Sequence, residues 1–164
     1  MEYRCILCPI VDDSEISERA EDMAAYLAKI SGARLILLYV MEKWYNADLL
    51  VTDSKEWQDI HKDWLNEGRG FLEQESGKLK DQGIWNIKTE LRDGEASYEI
   101  LTVANEQYAD IIVMGDYSAS KVKKFFTGTV IDRVSRHARC PILWVTEPHH
   151  EEKARPYRIF GRQS

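Results

Sequence analysis

The sequence predicts a doubly wound α/β fold, in which a five-stranded parallel sheet carries helices on both faces. Five short apolar runs alternate with four longer segments whose apolar residues recur every three or four positions. Four of the five runs are apolar without alternation, which is typical of strands buried on both faces of a parallel sheet. The expected strand order is 3-2-1-4-5. This order places the ends of strands one and four at the topological switch point, where ligands bind.

The first βαβ unit spans the first forty residues. The run 5–11 suits a buried strand. Any of Asp12, Asp13 and Ser14 can cap the helix that follows, and Asp12 with Glu15 has the spacing of a capping box. Gly32 is suited to the helix C-terminus, and the second strand is predicted over 35–40. One stripe of this helix is predicted to be buried; it consists of Ile16, Ala20, Met23, Ala24, Leu27 and Ile30.

Two of the three cysteines form a formal C-x-x-C sequence in the first strand. Residues three apart on a strand point to opposite faces, so Cys5 and Cys8 are interpreted as core residues and not as a redox pair. An odd number of cysteines in a chain of this length favours a reduced, cytoplasmic location.

The middle of the chain is predicted to be a loop, a long helix and an edge strand. The loop 41–53 is more apolar than a plain linker and is interpreted as folding back onto the core; a lid or partner surface is the alternative. The helix starts near Ser54, and Gly68 lies on its apolar stripe, which indicates close packing against the sheet. His61 is expected to be exposed. Residues 87–92 alternate apolar and charged, as in a half-exposed edge strand.

The last part of the domain contains two further strand–helix pairs. A helix is predicted from Ala96 to Tyr108, a buried strand over 109–114, and a final strand over 141–145. The domain is expected to span 1–146, with a polar tail over 147–164. The helix before the final strand has a buried stripe that consists of Val130, Ile131, Val134 and Ala138.

A small and basic loop joins the fourth strand to the fourth helix. Backbone N–H groups in such a loop and at a helix start can point together at one anion, so the segment 113–130 predicts an anion site. Thr129 with Asp132 also has capping-box spacing, and this structural role is compatible with binding. Lys121, Lys123 and Lys124 add positive charge, or form a solvated surface.

Three sets of stretches together form a specific combination, whereas one stretch alone would be weak. They are Ile6-Leu7-Cys8-Pro9 with Asp13-Ser14-Glu15, Asp93-Gly94 with Ala109-Asp110-Ile111-Ile112-Val113-Met114-Gly115, and Gly128-Thr129-Val130 with Arg136-His137-Ala138-Arg139-Cys140-Pro141-Ile142-Leu143. In these stretches the chain resembles the universal stress protein family, over nearly its whole length to about Thr146.

The resemblance implies a site for ATP, accompanied by Mg²⁺, in a Rossmann-like fold. Nucleotide-binding members carry a glycine, two residues, a second glycine, nine residues, and then Gly-Ser or Gly-Thr. The adenine would be held from strands one and two by Asp12 and Val40, with Val11 or Asp13 as alternatives to Asp12. The site residues implied by the resemblance are Val11, Asp12, Val40, Met114, Gly115, Ser118, Gly128, Thr129 and Val130.

Two residues depart from the pattern. Ser118 stands in place of the second glycine, and a serine is unfavourable there if the position needs a positive φ. Asp116 adds a carboxylate beside the expected anion, which it repels at close range. The second hypothesis is therefore a dimeric interaction module of the same fold, in which these two residues close the pocket and no nucleotide binds.

Composition and motifs exclude several other functions. The net charge of −6 argues against general nucleic-acid binding, and no apolar run is long enough to span a bilayer. Neither a nucleophile elbow nor a P-loop is present, so no catalytic residue is predicted and ATP hydrolysis is expected to be slow if it occurs. His149 and His150 lack a third ligand, so no metal site is predicted. Autophosphorylation of Thr129 or Ser120 is a third, weaker hypothesis.

The last strand is expected to form a dimer interface. In the family that the chain resembles, this edge pairs with the same strand of a second subunit, which here is Pro141 to Val145. An unpaired apolar edge is otherwise an aggregation risk, so a C2 homodimer is predicted. The leading hypothesis is thus a cytoplasmic, ATP-binding regulatory protein of the stress response that also contacts a protein partner of unknown identity.

Overall fold

The computed structural model describes residues 2–42, 54–117 and 128–146, and these residues form five strands and four helices in alternation. In chain order they are β1 (Cys5–Ile10), α1 (Glu15–Ser31), β2 (Arg34–Met41), α2 (Lys55–Asp81), β3 (Ile87–Asp93), α3 (Ala96–Glu106), β4 (Ile111–Gly115), α4 (Gly128–His137) and β5 (Ile142–Val145). The loop 41–53, Ser118, the three lysines of the following segment and the tail 147–164 lie wholly or mainly outside the described residues.

The strands form one parallel sheet in the order β3-β2-β1-β4-β5, which confirms the predicted topology. β1 lies at the centre, where Ile6 pairs with Leu35 of β2 on one side and with Ile111 of β4 on the other. All six residues of β1 and all five of β4 are buried, as their continuous apolar sequences predict.

Two apolar cores lie on the two faces of the sheet. One contains the inward alanines of α1 with Leu72 and Leu79 of α2, and the other contains Ile100 and Val103 of α3 with Val134 of α4. Cys5 and Cys8 are free thiols that belong to opposite cores, which confirms their interpretation as core residues. The right-handed crossovers of a parallel sheet explain why the chain must place its helices on both faces.

The buried stripe of helix α1 contains fewer apolar residues than its sequence predicts. Met23 and Ile30 are exposed, although the apolar periodicity placed both in the buried stripe. The acid at position 21, which periodicity would assign to the surface, is buried instead. The N-cap is Ser14, one of the three candidate caps, and its Oγ accepts a hydrogen bond from the Ser17 amide. Asp12 and Glu15 therefore do not form the capping box that their spacing allows.

Helix α2 passes close to the sheet at Gly68, as predicted. A Cβ at this position would lie 2.8 Å from Leu91 Cδ1 and 3.2 Å from Met41 Sδ, so only glycine fits without a shift of these side chains. His61 on the same helix is only partly exposed, because its Nε2 lies 2.9 Å from an Asp93 carboxylate oxygen. His61 is therefore half-buried and not exposed as predicted.

The remaining differences lie at helix ends. Tyr108 falls beyond α3 with φ at +53° and is exposed, so it does not continue the buried stripe of that helix. Helix α4 begins at Gly128, so Thr129 lies inside the helix and not at its N-cap. None of the described helices combines the length and apolarity needed to cross a membrane.

Candidate functional site

The switch point lies between the carboxyl ends of β1 and β4. From β1 the chain continues into α1 on one face of the sheet, and α4 covers the opposite face. Neighbouring strands whose helices diverge in this way leave a crevice at their carboxyl ends. The predicted site residues of the described chain all lie at the ends of β1, β2 and β4 or in the first turn of α4.

Four of the predicted residues meet in one apolar cluster. Val11, Val40, Met114 and Val130 are all at least nine-tenths buried and belong to the core on the α3 and α4 face. The structure thus brings together residues separated by more than a hundred positions in sequence. Gly128 and Thr129 form the start of α4 beside Val130. Ser118 lies outside the described residues.

Asp12 accepts hydrogen bonds from residues at the start of α1. Its Oδ1 accepts hydrogen bonds from the Ser14 amide at 3.1 Å and from the Ser17 hydroxyl at 2.9 Å. One carboxylate oxygen therefore holds both the turn after β1 and the first turn of the helix. An adenine contact from this position would be available through the backbone or through the other carboxylate oxygen.

Tyr117 is a site residue that the sequence reasoning missed. Its side chain is 3% exposed, and its hydroxyl lies 2.6 Å from Ser17 Oγ on α1. The Ser17 proton goes to Asp12, so the Tyr117 hydroxyl is the donor in this pair. Burial raises the pKa of Tyr117 well above its usual range. The phenol therefore stays protonated and can donate a hydrogen bond.

Gly115 is required by packing at the end of β4. A Cβ on this residue would lie 2.4 Å from Ile16 Cγ2 and 3.0 Å from Tyr117 Cε2. The backbone φ of Gly115 is not positive, so conformational freedom is not the reason for this glycine. Close approach of the first turn of α1 explains the residue without a ligand, and this reason is separate from the phosphate role implied by the family resemblance.

Acidic residues follow most of the strands at this edge of the sheet. Asp12 and Asp13 follow β1, Glu42 follows β2, and Asp116 follows β4. Burial raises the pKa of Glu42, although the Ala96 amide donates to its Oε1 at 2.8 Å and opposes the shift. Such an edge repels a free polyphosphate, so an anion is favoured here only with a cation or with strong N–H donors.

Two positive charges of α4 are already paired. Arg133 lies 3.4 Å from a Glu95 carboxylate oxygen, and Arg136 Nε lies 2.8 Å from Asp132 Oδ1. Burial raises the pKa of Glu95, but hydrogen bonds from Ser97 and the Tyr98 amide outweigh it and lower the pKa overall. Within residues 2–42, 54–117 and 128–146, no group of three or more His, Cys, Asp or Glu side chains is placed to hold a metal ion.

The fold and this crevice define a Rossmann-like α/β protein with a switch-point site. Within that class the chain belongs to the universal stress protein family, whose sequence model matches residues 2–146. The universal stress protein MJ0531 of Methanocaldococcus jannaschii is 30% identical, over 91% of this chain and 85% of its own length. The universal stress protein YxiE of Bacillus subtilis is also 30% identical, over 82% of this chain and 94% of its own length.

Solved structures share the same fold. The universal stress protein UspA from Lactobacillus plantarum has a TM-score of 0.73 and 22% identity, covering 88% of this chain and 99% of its own. A universal stress protein in complex with cAMP has a TM-score of 0.62 and 22% identity, covering 89% of this chain and 98% of its own. The protein from Archaeoglobus fulgidus in complex with dAMP has a TM-score of 0.62 and 19% identity, covering 88% and 98%. At these identities the likeness establishes the fold.

Proposed function

We propose that this protein binds an adenine nucleotide, ATP with Mg²⁺, at the crevice between the ends of β1 and β4. The observation that carries the proposal is that Val11, Val40, Met114 and Val130, which lie at the ends of three neighbouring strands and at the start of α4, belong to one apolar core. Apolar contacts at strand ends suit a base, and the free N–H groups of a helix start suit a phosphate. Two solved relatives of this fold bind the adenine nucleotides cAMP and dAMP.

The acids at the same edge support the magnesium complex as the form that binds. Asp116 follows Gly115, beside the expected phosphates, and Asp12 and Asp13 follow the neighbouring strand, so all three carboxylates repel a bare polyphosphate. A divalent cation on the phosphates reverses part of this repulsion. The nucleotide would act as a regulator, with occupancy altering a surface that a protein partner reads, and the free cysteines agree with a cytoplasmic location.

The test has two parts. The purified protein is denatured and its supernatant is analysed for adenine nucleotides, and the nucleotide-free protein is titrated calorimetrically with ATP, AMP and cAMP, each with and without Mg²⁺. The proposal predicts saturable binding of at least one of the three, with ATP bound more weakly when EDTA removes the metal. No saturable heat for any of the three would overturn it.

A second candidate function is an interaction module that binds no nucleotide. The observation that favours it is the packing of Ile16 and Tyr117 against Gly115, which explains the first glycine of the motif without a ligand. This function predicts that the calorimetric titration is silent and that Ser118→Gly gains binding. If the variant gains affinity while the wild type has none, the serine closes the pocket.

We further propose a homodimer through β5, which is one edge of the sheet. Its residues Ile142, Leu143 and Trp144 are only half-buried. Helix α1 packs beside β4 and β5, and three large apolar side chains on α1 remain exposed. An unpaired apolar strand edge and exposed apolar side chains of this size are features that a second copy would cover. The exposed residues are Met23, Tyr26 and Ile30.

Light scattering after size exclusion tests the dimer. The wild type is expected at twice the monomer mass at micromolar concentration, and Ile30→Glu is expected to shift it toward the monomer. Trp85→Glu is the matched control, because Trp85 is 76% exposed but precedes β3 at the other edge of the sheet. A monomeric wild type, or equal dissociation by both variants, would contradict this interface.

A further inference from the structure

A hydrogen-bond chain joins the two strand ends at the crevice. The Tyr117 hydroxyl, two residues beyond β4, donates to Ser17 Oγ at 2.6 Å, and the Ser17 hydroxyl donates to Asp12 Oδ1 at 2.9 Å. Tyr117 and Ser17 are buried, with Ser17 at 0% exposure. Asp12 lies two residues beyond the end of β1, so three side chains connect the segments that flank the switch point.

The chain has a defined direction and a charged end. Each hydroxyl has one proton, so the donor order runs from Tyr117 through Ser17 to the carboxylate of Asp12. Hydrogen bonds that end on a carboxylate are stronger than neutral ones, and linked donors polarise one another. The low exposure of both hydroxyls keeps water from replacing either partner. The geometry is therefore that of a tether and not of an incidental contact.

We propose that Tyr117 and Ser17 are positioning residues for the nucleotide site, which they act on by fixing the end of β4 against the turn after β1. The inference rests on the proposed function, because the ligand would span these two ends, with its base toward Val11 and Asp12 and its phosphates beyond Gly115. A misplacement of the two ends relative to each other would weaken every ligand that contacts both. Neither hydroxyl needs to touch the nucleotide for this role.

Packing of the Tyr117 ring is separable from its hydroxyl. The ring lies against the position where a Gly115 side chain would be, at 3.0 and 3.1 Å from the built Cβ, whereas the hydroxyl reaches Ser17. Tyr117→Phe keeps the ring and removes only the donor. Ser17→Ala removes the middle of the chain and leaves the Ser17 amide free to bond the helix cap at Ser14.

The inference predicts that Tyr117→Phe weakens nucleotide binding up to about tenfold, the upper end of the effect of losing one neutral hydrogen bond. Ser17→Ala is expected to act similarly, and the double variant no more strongly than either single variant, because both break the same chain. Tyr108→Phe is the control, since Tyr108 is 85% exposed and lies beyond the far end of α3.

A merely structural role would not produce this result. The free energy of unfolding of a native domain is several times the contribution of one hydrogen bond. Each variant therefore stays almost entirely folded at 25 °C, and its binding constant reports the site itself. Denaturant titration checks this margin for every variant. Hydrogen exchange gives an independent readout, with faster exchange at the Ser17 and Asp116 amides in Tyr117→Phe than in the wild type.

The outcomes are distinct. Weaker binding with faster exchange in both single variants supports the inference. Wild-type binding that is unchanged in Tyr117→Phe overturns the inference and leaves the proposed function standing. If the losses of nucleotide affinity in the two single variants add in the double variant, the two hydroxyls do not act through one hydrogen-bond chain, and the inference is overturned. A wild type that binds no adenine nucleotide overturns the proposed function and the positioning role together.

Discussion

A buried pair of carboxyl groups between α1 and α2 makes the stability of this protein depend on pH. Glu21 is 4% exposed and Glu75 is 1% exposed, and they face a cavity of about 220 Å³ between the helices. Lys78 Nζ lies 3.0 Å from Glu75 Oε1, so the lysine neutralises one carboxylate of the pair. Burial, and then the charge of Glu75, raise the pKa of Glu21 to about 8.

The sign of the effect follows from proton binding. The ordinary pKa of Glu21 is 4.5, so between pH 4.5 and about 8 the folded protein holds a proton that the unfolded chain releases. The free energy of unfolding therefore falls as pH rises through this window and levels off above about pH 8. At ~1.4 kcal/mol for each pH unit, the accumulated loss is at most about 5 kcal/mol.

Glu21→Gln tests this reasoning. A glutamine is neutral at every pH and can donate to Glu75, so the variant is expected to lose the decline between pH 5 and 8. Urea denaturation followed by tryptophan fluorescence at several pH values measures the difference. Glu73→Gln is the control, because Glu73 is an exposed acid in the same helix as Glu75, and this variant should behave like the wild type. Equal pH slopes for wild type and Glu21→Gln would refute the account.

Three further substitutions test packing and hydrogen bonding by denaturant titration. Gly115→Ala should destabilise by about 2–4 kcal/mol, since its Cβ would lie 2.4 Å from Ile16 Cγ2; a stable variant would refute the packing role. Gly70→Ala, in open space within α2, should stabilise by ~0.5–1 kcal/mol, and destabilisation would contradict this. Asp110→Ala should destabilise by about 1–3 kcal/mol, because its Oδ2 accepts from two backbone amides at the start of β1, including Cys5 at 2.9 Å; an unchanged midpoint would show that water replaces the carboxylate.

The sheet could be predicted because its signal is local. Continuous apolar runs of four to eight residues mark the central strands, and the charged alternation of β3 marks an edge. The connection lengths then leave a parallel sheet with right-handed crossovers as the simple solution. Val11, Val40 and Val130 could be placed near one another from this topology together with the family resemblance, and the structure brings them into one cluster.

The errors arose where a residue's environment depends on a distant element. Met23 and Ile30 have helical spacing, but both side chains are exposed, so periodicity alone overstated the buried stripe. Glu21 is buried because Glu75 and its lysine approach from α2, which no local pattern encodes. Tyr117 follows the same principle, since its burial requires the first turn of α1 to reach the end of β4.

The residue that caps a helix also depends on the path of the backbone, which residue spacing in the sequence does not give. Asp12 with Glu15 has the separation of a capping box, yet the chain uses Ser14 as the cap and engages Asp12 one turn further along through Ser17. Several polar residues in succession give several possible caps, and the backbone path selects one. An aromatic residue two positions after a buried strand, such as Tyr117, was the available signal for the missed site residue.

The central claim is that the crevice between β1 and β4 binds an adenine nucleotide, and calorimetric titration of nucleotide-free protein with Mg²⁺–ATP tests it most directly. The account predicts saturable heat with one site per chain, and weaker binding by Tyr117→Phe than by Tyr108→Phe. No heat at millimolar Mg²⁺–ATP, together with no adenine nucleotide released on denaturation, would contradict the claim and favour an interaction module.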